Sequence, residues 1–158
     1  MIGWKGSIED MILKGIYRWR NPIKIVSGMG YLRIIILQDE HLPMLCARQM
    51  NLCLPKVLET QVGFYKGWIG GPARLTPPMQ GRSLTSLDKA NAVCQETFGD
   101  GWEMAEFHHV CGGWSWWALG DIPLGQRFWV STNDQYANPW DTRTGRAMTW
   151  VRLNRENH

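Results

Sequence analysis

Residues 85–105 read TSLDKANAVCQETFGDGWEMA, and this stretch decides the fold. Thr85 can cap a helix, with Asp88 three residues later, where an acidic side chain reaches back to the unpaired N–H groups of the first turn. Leu87, Ala90, Val93, Cys94, Thr97 and Phe98 recur at helical spacing and form an apolar stripe, while Lys89, Asn91, Gln95 and Glu96 fall on the other side. Gly99 stands where a C-terminal cap belongs, and Gly101 opens the next element. The spacing predicts a helix over 86–98, followed by a strand over 102–107. Cys94 lies inside the stripe, which gives it a packing role.

Working downstream, residues 127–132 and 147–153 read as strands, with turns at Asn133-Asp134, Asn138-Pro139 and Thr144-Gly145. Between the helix and these strands, residues 108–126 hold Gly112, Gly113, Gly120, Pro123 and Gly125 and read as a long loop carrying Trp114, Trp116 and Trp117. A loop of that length is usually functional or strongly packed. Upstream, residues 62–69 read as one strand or two short ones. Gly70-Gly71-Pro72 reads as a turn, residues 73–76 as a strand pairing back, and Pro77-Pro78 as its stop. One helix among short, mostly antiparallel strands with long Trp-rich loops predicts an α+β fold.

The N-terminal part has a different character. Residues 1–33 carry Lys5, Lys14, Arg18, Arg20, Lys24 and Arg33 against Glu9 and Asp10, a net of +4, although the whole chain carries only +3. A helix is expected over 7–20, capped by Ser7 and with Ile8, Met11, Ile12 and Ile16 on one face. A β-branched run follows over 31–37. In residues 38–60, Leu42, Leu45, Cys46, Met50 and Cys53 keep part of a helical spacing that Pro43 and Pro55 interrupt. The composition changes near Gln61. The expected organisation is a basic N-terminal extension or appendage over 1–60, not counted in the core, and a single globular α+β domain over 61–158.

The bulk numbers exclude several classes. A chain of 158 residues with 44% hydrophobic and 20% charged residues is ordinary for one globular domain. Its charge is too small to imply a nucleic-acid partner. No stretch approaches the roughly 18 apolar residues of a membrane span, and no clear export signal is present, so a cytoplasmic location is the default expectation. Cys46, Cys53, Cys94 and Cys111 contain no Cys-x-x-Cys pair, and without an export signal all four are expected as reduced, buried thiols. Ten tryptophans are the main deviation; most should fill core, while some can present a flat face to a ligand.

Three groups of residues could carry chemistry. Glu106, His108, His109 and Cys111 offer nitrogen, sulfur and oxygen donors that suit zinc. Their spacing matches no common signature, and adjacent histidines on a strand point to opposite faces. His108 or His109 with Glu106 or Asp121 could also serve as a general base, but no nucleophile elbow accompanies them. Glycine-rich nucleotide loops are absent, so no cofactor is expected. Asn133, Asp134, Gln135, Asn138 and Asp141 supply amide and carboxylate groups beside Trp140, without EF-hand spacing for calcium. Together with the loop indoles they define the expected ligand surface: Trp114, Trp116, Trp117, Asn133, Asp134, Asn138, Trp140 and Asp141. No catalytic or metal-binding residue is assigned.

Ala92-Val93-Cys94 and then Phe98-Gly99-Asp100-Gly101-Trp102-Glu103-Met104-Ala105 resemble the first helix and following strand of C-type-lectin-like domains. Gly113-Trp114, Phe128-Trp129-Val130 and Asn138-Pro139-Trp140-Asp141 resemble the tryptophan-rich long loop and last strands of that fold. The resemblance covers residues 62–153 and implies a module that binds sugars, proteins or other ligands through its long loop region. The chain departs from the pattern in three ways. Cys111 is its last cysteine, the Glu-Pro-Asn and Gln-Pro-Asp tripeptides are absent, and Trp68-Ile69-Gly70 precedes the helix rather than following it. The same stretch also resembles uncharacterised bacterial proteins, some carried on mobile gene cassettes. The expected function is a non-enzymatic binding module for a carbohydrate or protein. The alternatives are a small metal-assisted hydrolase built on Glu106, His108, His109 and Cys111, and a structural or oligomerising protein with no small ligand.

Overall fold

The computed structural model describes residues 34–60, 62–64, 66–109, 115–120, 122–123, 125–134, 136–141 and 146–151; for 34–37, 57, 66, 115 and 146–151 it describes the backbone alone. The helix expected over 7–20, Trp114, Gln135 and Cys111 lie outside these residues. In chain order the described elements are β1 (Ile34–Leu37), β2 (His41–Leu42), β3 (Leu45–Ala47), β4 (Lys66–Leu75), β5 (Met79–Gln80), α1 (Leu87–Phe98), β6 (Glu103–Met104), β7 (Ser115–Leu119), β8 (Arg127–Trp129) and β9 (Arg146–Val151). Short 3₁₀ turns occupy Lys56–Leu58 and Gly81–Ser83. The strands form sheets in the orders β1-β9-β8, β2-β5 and β6-β3-β4-β7. Every strand pairing is antiparallel except β4 with β7. One helix with mostly antiparallel strands makes this an α+β protein.

The helix begins one residue later than expected. Ser86 has an extended backbone, and its Oγ accepts the Lys89 N–H at 3.0 Å, so Ser86 rather than Thr85 is the cap. Gly99 ends the helix at φ +104°, donating its N–H to Gln95 O. This is a left-handed conformation that glycine reaches without strain. Ala90 and Cys94 are fully buried, and Val93 and Phe98 pack partly against the same cluster. Leu87 and Thr97, at the margins of the stripe, are exposed.

Cys94 is not a thiol. It forms a disulfide with Cys46 on β3, 48 residues away, and both are 0% exposed. Cys53 is free and exposed. Cys46 and Cys94 are buried as expected but not reduced, because an apolar stripe hides a sulfur equally well whether it ends in hydrogen or in a bond to another sulfur, and Cys53 is reduced as expected but not buried.

The composition change at Gln61 does not mark the edge of the core. β3 lies between β4 and β6, registering Cys46 with both Arg74 and Met104. Its alternate residues serve two clusters. Leu45 and Ala47 join Ile69, Ala73, Trp116, Ala118, Ile122, Phe128 and Val130. Met44 and Cys46 join Leu84, Ala90, Cys94, Trp102 and Trp129. A strand buried on both faces shows no polar alternation, so the helical spacing read into residues 38–60 was coincidental. β1 also pairs with β9 across most of the chain.

Two further expectations are overturned. Gly70-Gly71-Pro72 is not a turn but the middle of the ten-residue β4. There Gly70 takes φ +72°, and residues 48–52 pass so close that a Cβ on Gly71 would sit 1.8 Å from Arg48 O. The glycines answer that contact, together with a bulge between Trp68 and Pro72 against β7. Likewise, residues 115–119 of the expected long loop are the strand β7, parallel to β4. β8 is shorter than the strand expected over 127–132, and β9 begins one residue before the strand expected over 147–153, whose last two residues lie outside the described ones.

Two stability outcomes follow from this architecture. The fragment 61–158 lacks β3 and should give no cooperative thermal transition, whereas the full chain should. The Cys46→Ala/Cys94→Ala double variant should lose about 2–4 kcal/mol in urea unfolding, as expected when a closed loop of this size is released.

Candidate functional site

Past β8 the chain turns through Thr132 to Asp141, and Asn138 holds that turn shut. Its Oδ1 accepts the Thr132 N–H at 2.7 Å, and its Nδ2 donates to Thr132 O at 2.9 Å and to Asp141 Oδ2 at 2.7 Å. The side-chain amide stands in for a strand partner, which accounts for its burial to 5% exposure. Thr132 Oγ1 donates to Asp134 Oδ1 at 2.7 Å. That bond, followed by the one from His108, holds the Asp134 carboxyl below its ordinary range despite slight burial.

The enclosed space is an open cavity of about 270 Å³, lined by Thr132, Asn133, Asp134, Tyr136, Asn138 and Asp141. It is slightly smaller than the roughly 300–1,000 Å³ of sites for drug-sized ligands. Tyr136 stands beside it with 93% of its surface exposed.

A second loop, residues 106–109, backs the turn. Glu106 Oε2 accepts the His108 N–H at 2.6 Å, and Oε1 accepts the Asn133 N–H at 3.2 Å. His108 Nε2 meets Asp134 Oδ2 at 2.9 Å. Burial raises the Glu106 carboxyl above its ordinary value and the nearby Asp134 charge adds to this, while the two backbone N–H groups and His108 oppose it. His109 faces elsewhere. Its Nδ1 accepts the Glu106 N–H at 3.3 Å, and its Nε2 lies 3.4 Å from Glu103 Oε1. Burial lowers its pKa, against the pull of Glu103.

The sequence-predicted ligand surface is therefore divided. Asn133, Asp134, Asn138 and Asp141 converge on the cavity. Trp116 does not: it is 1% exposed in the first core cluster, and its indole N–H donates to Glu106 O. Trp117 is partly buried against the same cluster, and its indole nitrogen is buried without a hydrogen-bond partner among the described residues. Trp140 packs against the second cluster. Tyr136 and Thr132, which line the cavity, were missed in the sequence, although a lone aromatic within a run of turn-forming polar residues is a readable signal. The His108–Asp134 contact, spanning 26 residues, had no local signal. Among the described residues no group of three or more His, Cys, Asp or Glu side chains is placed to hold a metal ion, and His108 and His109 turn to different carboxylates.

No protein-family model matches this chain, and neither does any curated protein or solved structure. Among the described residues no helix is long and apolar enough to cross a membrane.

The turn makes a clear contrast between neighbouring asparagines. Asn138→Ala strands a buried N–H and a buried carbonyl and should cost on the order of 2–3 kcal/mol in chemical unfolding. Asn133→Ala, at an exposed position, should stay within about 0.5 kcal/mol.

Proposed function

We propose that this protein is a carbohydrate-binding module whose site is the cavity lined by Thr132, Asn133, Asp134, Tyr136, Asn138 and Asp141. The observation that carries the reading is the lining itself: fixed carboxylate and amide groups around a small hollow, next to an exposed phenol ring. Sugar hydroxyls both donate and accept, so they suit a set of directed acceptors and donors held in place before the ligand arrives. The flat apolar face of a sugar ring can lie on Tyr136 while hydroxyl edges reach Asp134 and Asp141. Asp134 is fixed by Thr132 and His108, and Asp141 by Asn138, so little side-chain freedom is lost on binding.

A C-type-lectin-like identity belongs to the same proposal. It is supported by a helix that carries a buried cysteine and by the polar loop that forms the site.

Calorimetric titration with cellohexaose, xylohexaose and chitohexaose should find at least one ligand. For that ligand Tyr136→Ala and Asp134→Asn should each weaken binding by about tenfold or more, equivalent to about 1.4 kcal/mol. Their melting temperatures should stay near that of the parent protein. No binding to any of the three, or binding indifferent to both substitutions, would overturn the assignment.

A further inference from the structure

We infer that Glu106 is a proton-sensitive clasp, a positioning residue whose carboxylate holds the Asn133–Asp134 turn in its ligand-accepting form and releases it when protonated. The inference rests on the cavity reading above for its meaning in binding, but its geometry is independent of any ligand. Glu106 sits on the loop after β6, and its side chain joins two segments beyond the backbone bridge between them. One oxygen takes the His108 N–H of its own loop, and the other takes the Asn133 N–H of the cavity turn. Its backbone adds a bridge to Ser131, and its carbonyl takes the Trp116 indole N–H. The loop is thus anchored at its root, and beyond it the carboxylate holds the Asn133 N–H while the His108 ring meets Asp134.

The groups around Glu106 determine what a proton does. From its own loop come the His108 ring and His109, whose Nδ1 accepts the Glu106 N–H and whose far side faces Glu103. From the cavity turn comes Asp134. From β7 comes the uncharged Trp116 indole. Burial, with Asp134 adding to it, shifts Glu106 upward from the ordinary value of 4.5, while the Thr132 hydroxyl and His108 shift Asp134 downward from 3.8. The two carboxyls are therefore separated. As pH falls, Glu106 takes a proton while Asp134 is still ionised. A protonated carboxyl keeps one good acceptor oxygen and turns the other into a donor, so it can no longer hold both N–H groups.

The sign for global stability is opposite to that for the clasp. A carboxyl whose folded pKa is raised binds its proton more tightly in the folded state. Its contribution is present below the unfolded pKa and lost as pH rises through the folded value. Protonating Glu106 therefore loosens the turn locally without unfolding the protein.

The test follows the backbone amides of His108 and Asn133 in the full chain by nitrogen-15 NMR from pH 7 to pH 3. Both should shift with one common midpoint above 4.5, the Asn133 amide losing its hydrogen-bonded position, and the protection of Asn133 against exchange, measured relative to a free amide at the same pH, should fall over the same range. In Glu106→Gln that transition should be gone, with Asn133 already exchanging quickly at pH 7. Binding of whichever of the three oligosaccharides is recognised should fall at least about fivefold between pH 7 and pH 4 in the parent and be flat with pH in Glu106→Gln. A common midpoint below 3.8, marking Asp134 instead, overturns the clasp, as does persistence of the transition in Glu106→Gln. If Glu106→Gln fails to fold, the midpoint in the parent decides by itself. If no oligosaccharide binds, the carbohydrate reading falls, and the amide transition still decides on the clasp.

Discussion

The structure depends on a short strand that is buried on both faces. β3 is only three residues long, yet its backbone is paired on one side to β4 and on the other to β6. Side chains alternate along a strand, so Leu45 and Ala47 are committed to one core and Cys46, with Met44 before it, to the other. β8 repeats the arrangement, with Phe128 facing the first cluster and Trp129 the second. Met44 forms a bridge to Trp129, and Trp129 donates its N–H to Pro43 O. These two strands form a shared wall, and α1 is fastened to it covalently through Cys46 and Cys94.

This arrangement explains which parts of the fold could be read from the sequence. The helix was legible because its signals are local: a hydroxyl before it, a glycine after it, and Ala90, Cys94 and Phe98 between them at a fixed period. β3 was not legible, because Leu-Cys-Ala has no exposed partner residues to mark a strand. β7 was hidden for a related reason. Trp116, Ala118 and Leu119 are buried next to a half-buried Trp117, so the burial pattern offers little polar contrast, and the neighbouring glycines look like loop. β4 was split at Gly70-Gly71, where the demand for glycine comes from the close passage of Arg48, a tertiary contact that no local rule contains.

The site was half legible for similar reasons. Asn and Asp at turn spacing advertise both a turn and a set of directed polar groups, and here Asn138 serves the turn while Asp134 and Asp141 line the hollow. An indole, by contrast, carries no mark in the sequence that separates a platform from a plug, and Trp116 and Trp140 proved to be packed against core. The cluster Glu106, His108, His109 had the right residues for chemistry, but its partners lie elsewhere. Asn133 and Asp134 come from a segment more than twenty residues away and turn the cluster into a brace for the cavity.

The enclosure of the disulfide has a kinetic meaning. Both sulfurs lie in a core with no exposed surface, and thiol–disulfide exchange requires an attacking thiolate to reach one of them. A small-molecule thiol therefore acts only on molecules in which α1 has swung away from β3. Once docked, the redox state of the pair is a memory of the conditions under which the chain folded, and it changes at the rate of local opening rather than with the potential of the surroundings.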